Sequence, residues 1–451
     1  MAEALEQIGE ARPRRFRPYP EYKDSGIEWL GEMPAHWEVE RLKYLATVND
    51  EALRESTDPS YELNYVDISS VDSIDGITSA ETLVFEKAPS RARRIVREGD
   101  VIVSTVRTYL RAIAAIENLE PNLIVSTGFA VVRPRGLDSS FACYALRAPY
   151  FVERVVAESV GVSYPAINAG DLAGFPVAYP AIEEQQAIGA FLDRETAKID
   201  ALVAKKERLV DLLQEKRAAL VMCAVTQGLD TNSPRKDSGL EWLGEIPARW
   251  RLAPLKGLLR RCDYGISESL AGGGTVRVLT MAHIQDSEVT LPDNGSVNDV
   301  DESLVLEFGD LLFNRTNSRD LVGKVGIFRG DRNDRVTFAS YLVRLSAREG
   351  VDPKWLNYLL NSYGVLGLAR SMALLSVNQA NLNPAKYKQI VVPLPELSEQ
   401  RAIAVFLDRE TARISALMTR VRDAIDRLRE LRTALISAAV TGKIDVREEA
   451  A

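Results

Sequence analysis

Two stretches of the chain concentrate side chains able to grip and read an anionic polymer. Six arginines (Arg91, Arg93, Arg94, Arg97, Arg107 and Arg111) stand against Glu98 and Asp100 in the first. In the second, from Leu311 to Arg348, Arg315, Arg319, Lys324, Arg329, Arg332, Arg335, Arg344 and Arg348 stand against three aspartates. Ser104, Thr105 and Tyr109 are interleaved in one, and Asn314, Thr316, Asn317 and Ser318 in the other. Arginine pairs with guanine and asparagine with adenine in the major groove, while scattered cations neutralise phosphates. The excess of Arg over Lys favours planar, bidentate contacts. A nucleic-acid interface is one reading; the competing one is a solvated basic face paired internally with the chain's own acids. Each stretch lies at or just after a Gly-Asp turn leading into an apolar strand, Gly99-Asp100 and Gly309-Asp310.

Catalytic chemistry finds no comparable seat. There is no Gly-x-x-x-x-Gly-Lys-Ser/Thr phosphate loop, and Gly272-Gly273-Gly274 reads as a flexible loop. Asn381-Leu382-Asn383-Pro384 lacks the Asn-Pro-Pro-aromatic pattern of amino-methyltransferases. Cys143, Cys223 and Cys262 are too far apart for a disulfide framework or a metal motif, and Cys143 and Cys223 sit in apolar settings that suit inert buried thiols. With His36 and His283 as the only histidines, a multi-histidine metal site is excluded; His36 aligns with Arg249 and reads as a surface position. No metal or catalytic residue is expected.

The 451 residues carry a net charge of −8, which disfavours coating nucleic acid by bulk charge but allows a local basic surface. The longest apolar run, Ala218 to Val225, is far short of the ~20 residues needed to cross a bilayer. Residues 1–22 do not resemble a secretory signal and read as a solvated tail. A cytoplasmic location is expected.

The elements that must position the two basic stretches are written twice. Asp24-Ser25-Gly26-Ile27-Glu28-Trp29-Leu30-Gly31 through Trp37 returns as Asp237-Ser238-Gly239-Leu240-Glu241-Trp242-Leu243-Gly244 through Trp250, at an offset of 213. Glu184-Gln185 through Phe191-Leu192-Asp193-Arg194-Glu195-Thr196 returns as Glu399-Gln400 through Phe406-Leu407-Asp408-Arg409-Glu410-Thr411, at an offset of 215. Between these near-copies lie two divergent modules, about 46–175 and 259–392, that read as mixed α/β.

The second repeated block opens a long helix each time, with Pro180 or Pro395 before an acidic first turn. Leu192, Ile199, Lys206, Leu213 and Leu220 recur at heptad spacing, with Leu202 and Leu209 beside them. The second copy shows Leu407, Ile414, Val421, Leu428 and Leu435, with Leu417, Ala424, Leu431 and Ala438 on the neighbouring row. This predicts coiled-coil seams on helices of about 60 Å, partnered within the chain or, alternatively, with a second chain.

Asp-Ser-Gly-x-Glu-Trp-Leu-Gly-x-x-Pro-x-x-Trp and Pro-x-x-x-Glu-Gln-x-x-Ile-x-x-Phe-Leu-Asp-x-Glu-Thr, each present twice, resemble the motifs of the specificity (S) subunits of type I restriction–modification systems. Leu312-Phe313-Asn314-Arg315-Thr316-Asn317-Ser318 is similar to a recognition-domain signature, from which Val103-Ser104-Thr105-Val106-Arg107 departs. The resemblance runs from Lys23 to Val446. It implies an α+β fold: two mixed α/β target recognition domains separated by two long antiparallel coiled-coil helices, with an internal pseudo-two-fold repeat. The expected division is a tail at 1–22, recognition domains at 23–180 and 229–395, helices at 181–228 and 396–446, and a tail at 447–451. The implied role is non-catalytic: binding a bipartite, asymmetric site on double-stranded DNA and docking two methyltransferase subunits. S-adenosylmethionine would then be held by those partners, and ATP and Mg by restriction subunits where these join; this chain would bind no cofactor. A scaffold that joins only proteins, or the recognition half of an enzyme cutting beside its site, are the other readings.

Overall fold

A computed structural model describes residues 16–449 apart from 73–75, 118, 268–272, 293–294 and 377–378, and omits the side chains of Arg332 and Glu449. The chain forms two compact units, one of residues 1–206 and 423–451, the other of residues 207–422. Both boundaries fall inside long helices, Ile182–Gln227 and Leu397–Val440.

In the first unit, Val101–Ser104 lies in a four-stranded sheet between Ile113–Ala115 and Phe129–Pro134, with Ala46–Val48 at the edge. Its four residues are buried, as expected of an apolar central strand covered on both faces. In the second unit, Leu311–Asn314 lies likewise between Val325–Ile327 and Leu342–Ala347, flanked by Leu259–Tyr264. The registers correspond: Val101 faces Val132 and Ser104 faces Phe129, while Leu311 faces Leu345 and Asn314 faces Leu342. Each unit also has a second sheet containing one parallel pair, Glu62–Val66 with Leu123–Ser126 and Val276–Leu279 with Val336–Phe338. The divergent modules therefore share one fold.

The Gly-Asp turns enter these central strands. Gly99 and Gly309 adopt φ of +83° and +85°, a left-handed conformation that glycine tolerates without a Cβ penalty. Asp100 is buried and accepts both guanidinium hydrogen bonds of Arg133, at 2.9 and 2.8 Å. Asp310 accepts from Ser346 and lies 3.8 Å from the buried Arg344. Burial pushes the Asp310 carboxyl above the ordinary carboxylate range.

The repeated blocks fasten each long helix to its module. Trp37 is buried and donates to Glu184, which also accepts from Tyr19 and contacts His36 at 2.8 Å. Trp250 donates to Glu399, which also accepts from Arg249. Gln185 and Gln400 each accept from the backbone N–H of the aspartate capping a short module helix, Asp138 or Asp352, and donate to Pro180 or Pro395. Asp193 and Asp408 accept from Tyr144 and Tyr358 at 2.9 Å each. In the first unit the start of one helix and the end of the other meet at Trp37, through Glu184 and Gly442, and Asp200 pairs with Arg432. Numbers rising along one helix against falling numbers along the other make the pair antiparallel.

The seams keep heptad spacing, shifted from the expected neighbouring row. Leu192, Ile199, Leu213 and Leu220 are buried or half-buried, as are Leu407, Ile414, Val421, Leu428 and Leu435. Leu202, expected in the seam, is 42% exposed, and Leu209 is exposed as well. Val203 and Val210 occupy that row instead, as Met418, Ile425, Arg432 and Ala439 do in the second helix. Polar Arg217 and Arg432 sit in the true row and disguise it.

The expected N-terminal tail is corrected over residues 16–22, its first fifteen positions lying outside the described residues. Arg17 bridges to Asp445, Tyr19 is buried, and Tyr22–Asp24 pairs with Glu32–Pro34. The second helix ends at Val440, before Gly442 at φ +69°. Residues 447–449 are ordered as a short turn, with Arg447 over the Tyr19 ring, so the expected C-terminal tail is not free there. Cys143 is buried, whereas Cys223 lies exposed, against expectation. No helix among the described residues is long and apolar enough to cross a membrane.

Candidate nucleic-acid interface

The ends of the two central strands are equivalent down to their hydrogen bonds. Ser104 donates its N–H to Ala112 at 2.9 Å, and Asn314 donates to Lys324 at 2.9 Å. Thr105 accepts from Ile167 at 2.9 Å, and Arg315 accepts from Leu382 at 2.8 Å. On one frame, Ser104-Thr105-Val106-Arg107 thus stands where Asn314-Arg315-Thr316-Asn317 stands on the other. These two segments occupy one place on a shared fold, whereas Arg93 and Arg94 lie on Ala92–Ile95, a strand of the first unit's other sheet.

Burial sorts these candidates. The Ser104 hydroxyl donates to the Val106 carbonyl and that of Thr105 to the Gly128 carbonyl; both residues are buried, so they shape the strand end instead of facing solvent. Asn314 and Thr316 are also buried. The Asn314 Oδ1 and Arg315 Nε atoms are buried without a hydrogen-bond partner. Asn317 is half-buried, its Oδ1 accepting from the Ser318 N–H, while Ser318, Arg319, Arg107 and Tyr109 are exposed.

Ion pairing sorts the cations further. Arg91 pairs with Asp67 at 3.0 Å, Arg97 with Glu51, and Arg111 with Glu153 at 2.6 Å. Arg329 pairs with Glu288 at 2.5 Å and Arg335 with Glu302 at 2.9 Å. Arg344 is buried against Asp263 and Asp310. These arginines follow the internal-pairing account. Arg348 donates to the Gly257 carbonyl at 2.8 Å, and the Arg332 side chain lies outside the described residues. Arg107 lies 4.9 Å over the Tyr164 ring and Arg315 lies 5.2 Å over that of Tyr264, geometries of cation–π attraction. Arg93 covers Phe85. Arg94 is half-buried, and burial lowers its guanidinium pKa. Among the described residues, no ion pair is found for Arg93, Arg94, Arg107, Arg315, Arg319 or Lys324.

Sequence reasoning missed Glu184 and Glu399 with their tryptophans, and the tyrosine–aspartate pairs. Their repetition at one offset was the available signal, but only the fold shows that they join helix to module.

A family model described as the type I restriction modification DNA specificity domain matches residues 34–210. The chain is 29% identical over 173 residues to the type I restriction enzyme MjaX specificity subunit of Methanocaldococcus jannaschii, covering 37% of this chain and 40% of that protein. It is 22% identical over 315 residues to the StySPI specificity subunit of Salmonella potsdam, covering 68% of this chain and 66% of the relative. The matches therefore span less than two thirds of either relative. A structure described for complex assembly and conformational transition of the type I R-M system aligns at a TM-score of 0.68 and 25% identity, covering 91% of this chain and 99% of that one. The HsdS subunit from Thermoanaerobacter tengcongensis shares the fold, at a TM-score of 0.53 and 23% identity, covering 91% and 98% of the two chains.

Proposed function

We propose, from the chain's relationship to the specificity subunits of type I restriction–modification systems, that it is a DNA-recognition subunit with two target recognition domains. Each unit reads one half of a bipartite, asymmetric site on double-stranded DNA. The observation that carries this reading is the pair of equivalent strand ends bearing different side chains. A frame held constant and a tip that varies is what two related but distinct half-sites require. The cations left without carboxylates, Arg107, Arg315, Arg319 and Lys324, stand at or beside these ends and supply phosphate or base contacts.

The chain itself is non-catalytic in this reading. Outward positions of the repeated helices dock two methyltransferase subunits, and restriction subunits join through the same assembly. S-adenosylmethionine belongs to the former, ATP and Mg to the latter. Methylation-sensitive sequencing of host DNA tests the proposal, with a split motif as the expected result. Replacing residues 46–175 by another such module should change one half of that motif. A change in both halves refutes the division of labour.

A further inference from the structure

Beside each strand end stands an uncharged hairpin whose apolar side chains face solvent. In the first unit, Val160 and Ala166 exchange two backbone hydrogen bonds of 2.9 and 3.0 Å and close the loop between them. That loop is joined to the strand end by Arg107 N–H donating to Pro165 at 2.8 Å. Val160 is 80% exposed and Val162 fully so. In the second unit, Thr316–Asn317 pairs with Gln379–Asn381, which pairs with Leu374–Ser376. Leu374 is 70% and Leu375 62% exposed.

Aliphatic side chains left exposed on a strand edge, as Leu374 and Leu375 are, or on a loop, as Val162 is, invite aggregation unless something covers them. Two observations point to what covers these. No acidic residue occurs in Ser159–Ala166 or Met372–Asn381, so nothing in either hairpin repels a polyanion. Cations for which no ion pair is found among the described residues adjoin both: Arg107 packs on the first hairpin's Tyr164, and Arg315 donates to Asn381 of the second at 3.2 Å.

Resting on the DNA-recognition reading, we propose that the two hairpins are apolar base contacts, burying Val160 and Val162 in one half-site and Leu374 and Leu375 in the other. Apolar side chains read thymine methyl groups in the major groove or part base steps as wedges. Their contribution releases no counterions, so it is independent of the salt-dependent grip of the arginines.

The test uses the chain assembled with its methyltransferase subunits and duplexes that the wild-type complex enriches from a pool with a randomised core. Val160→Ser with Val162→Ser, and Leu374→Ser with Leu375→Ser, alter exposed positions and should leave assembly intact. Each pair is expected to weaken binding of the enriched duplex by roughly tenfold or more and to relax the motif in one half only. The dependence of affinity on salt should be unchanged, whereas Arg107→Ala should lower its slope by about one. Unchanged affinity and motif in both paired variants overturn the proposal, with DNA recognition left standing. Loss of methyltransferase subunits from the variants overturns it in favour of a protein occupant. Failure of the wild-type complex to enrich any motif overturns the DNA reading and the hairpin contacts with it.

Discussion

Arg107 and Arg111 offer a controlled comparison. They lie four residues apart in one basic stretch, both are exposed, and both have left-handed backbones, at φ +54° and +53°. Alanine keeps a Cβ, so the backbone penalty cancels in both substitutions. Arg111 is committed to Glu153, a pair whose side chains are each half exposed, and such a pair contributes about 0–1 kcal/mol. Arg107 lies over the Tyr164 face, and among the described residues no ion pair is found for it. Arg107→Ala should therefore cost about 1–3 kcal/mol of binding if it reads a base, a loss of roughly 5- to 150-fold. Arg111→Ala should stay within about 0.5 kcal/mol of wild type in binding. Anisotropy titrations of labelled cognate duplex, run at several salt concentrations on the assembled complex, separate the two. Equal losses, or a larger loss for Arg111→Ala, would refute the assignment of free and committed arginines.

Three further outcomes follow from the frame. An alanine at Gly442 would place its Cβ 2.2 Å from Pro34 Cδ at φ +69°, whereas at Gly228 (φ +77°) the nearest atoms are 3.2 Å away. Gly442→Ala should lose about 2–5 kcal/mol, from backbone strain and overpacking, and Gly228→Ala about 1–2 kcal/mol, as compared by denaturant midpoints. In the helix seam, Val210→Glu should lower the melting temperature markedly and Leu202→Glu little, because only Val210 is buried; the reverse order would restore the originally expected row. Hydrogen bonds from the Arg447 side chain hold the Asp445 carboxyl below the ordinary carboxylate range. Its folded pKa lies below the unfolded value near 3.9, so it stabilises above that pH and the gain is lost as pH falls through the folded pKa. Asp445→Asn should shallow the loss of stability below about pH 4 in an acid titration.

What was legible in the sequence was whatever repeats. Two near-copies announced two units, two long helices and the start of each helix within a residue, because proline and first-turn acids act locally. The seam row was misplaced because it admits Arg217 and Arg432, while the adjacent row offers Leu202, Leu209 and Leu431 to water. Apolar periodicity alone favours the wrong row there. The basic stretches were legible as charge but not as commitment. Arg344 meets its acids at Asp263 and Asp310, Arg329 meets Glu288, and Arg111 meets Glu153. Separations of 34 to 81 residues for such pairs leave no local mark. Chain folding had to bring the acids in before the free arginines could be told from the paired ones.

The arrangement separates the residues that hold each unit together from those free to vary. Glu184 with Trp37 and Tyr19 buries charge-assisted hydrogen bonds, and Glu399 with Trp250 partly buries one; removing one partner leaves the other unsatisfied, at about 1–3 kcal/mol. His36 and Arg249 fill the same position against these glutamates, so even a differing residue keeps the function of the joint. Exposed positions at the strand ends and hairpins make no such demand, and substitutions there usually stay within about 0.5 kcal/mol of stability. Arg107 can therefore stand where Asn317 stands, and Val160 where the leucine pair stands, without cost to the frame. A fold built this way tolerates new side chains where its two units differ and resists them where the units are alike, which is the pattern of divergence the sequence displays.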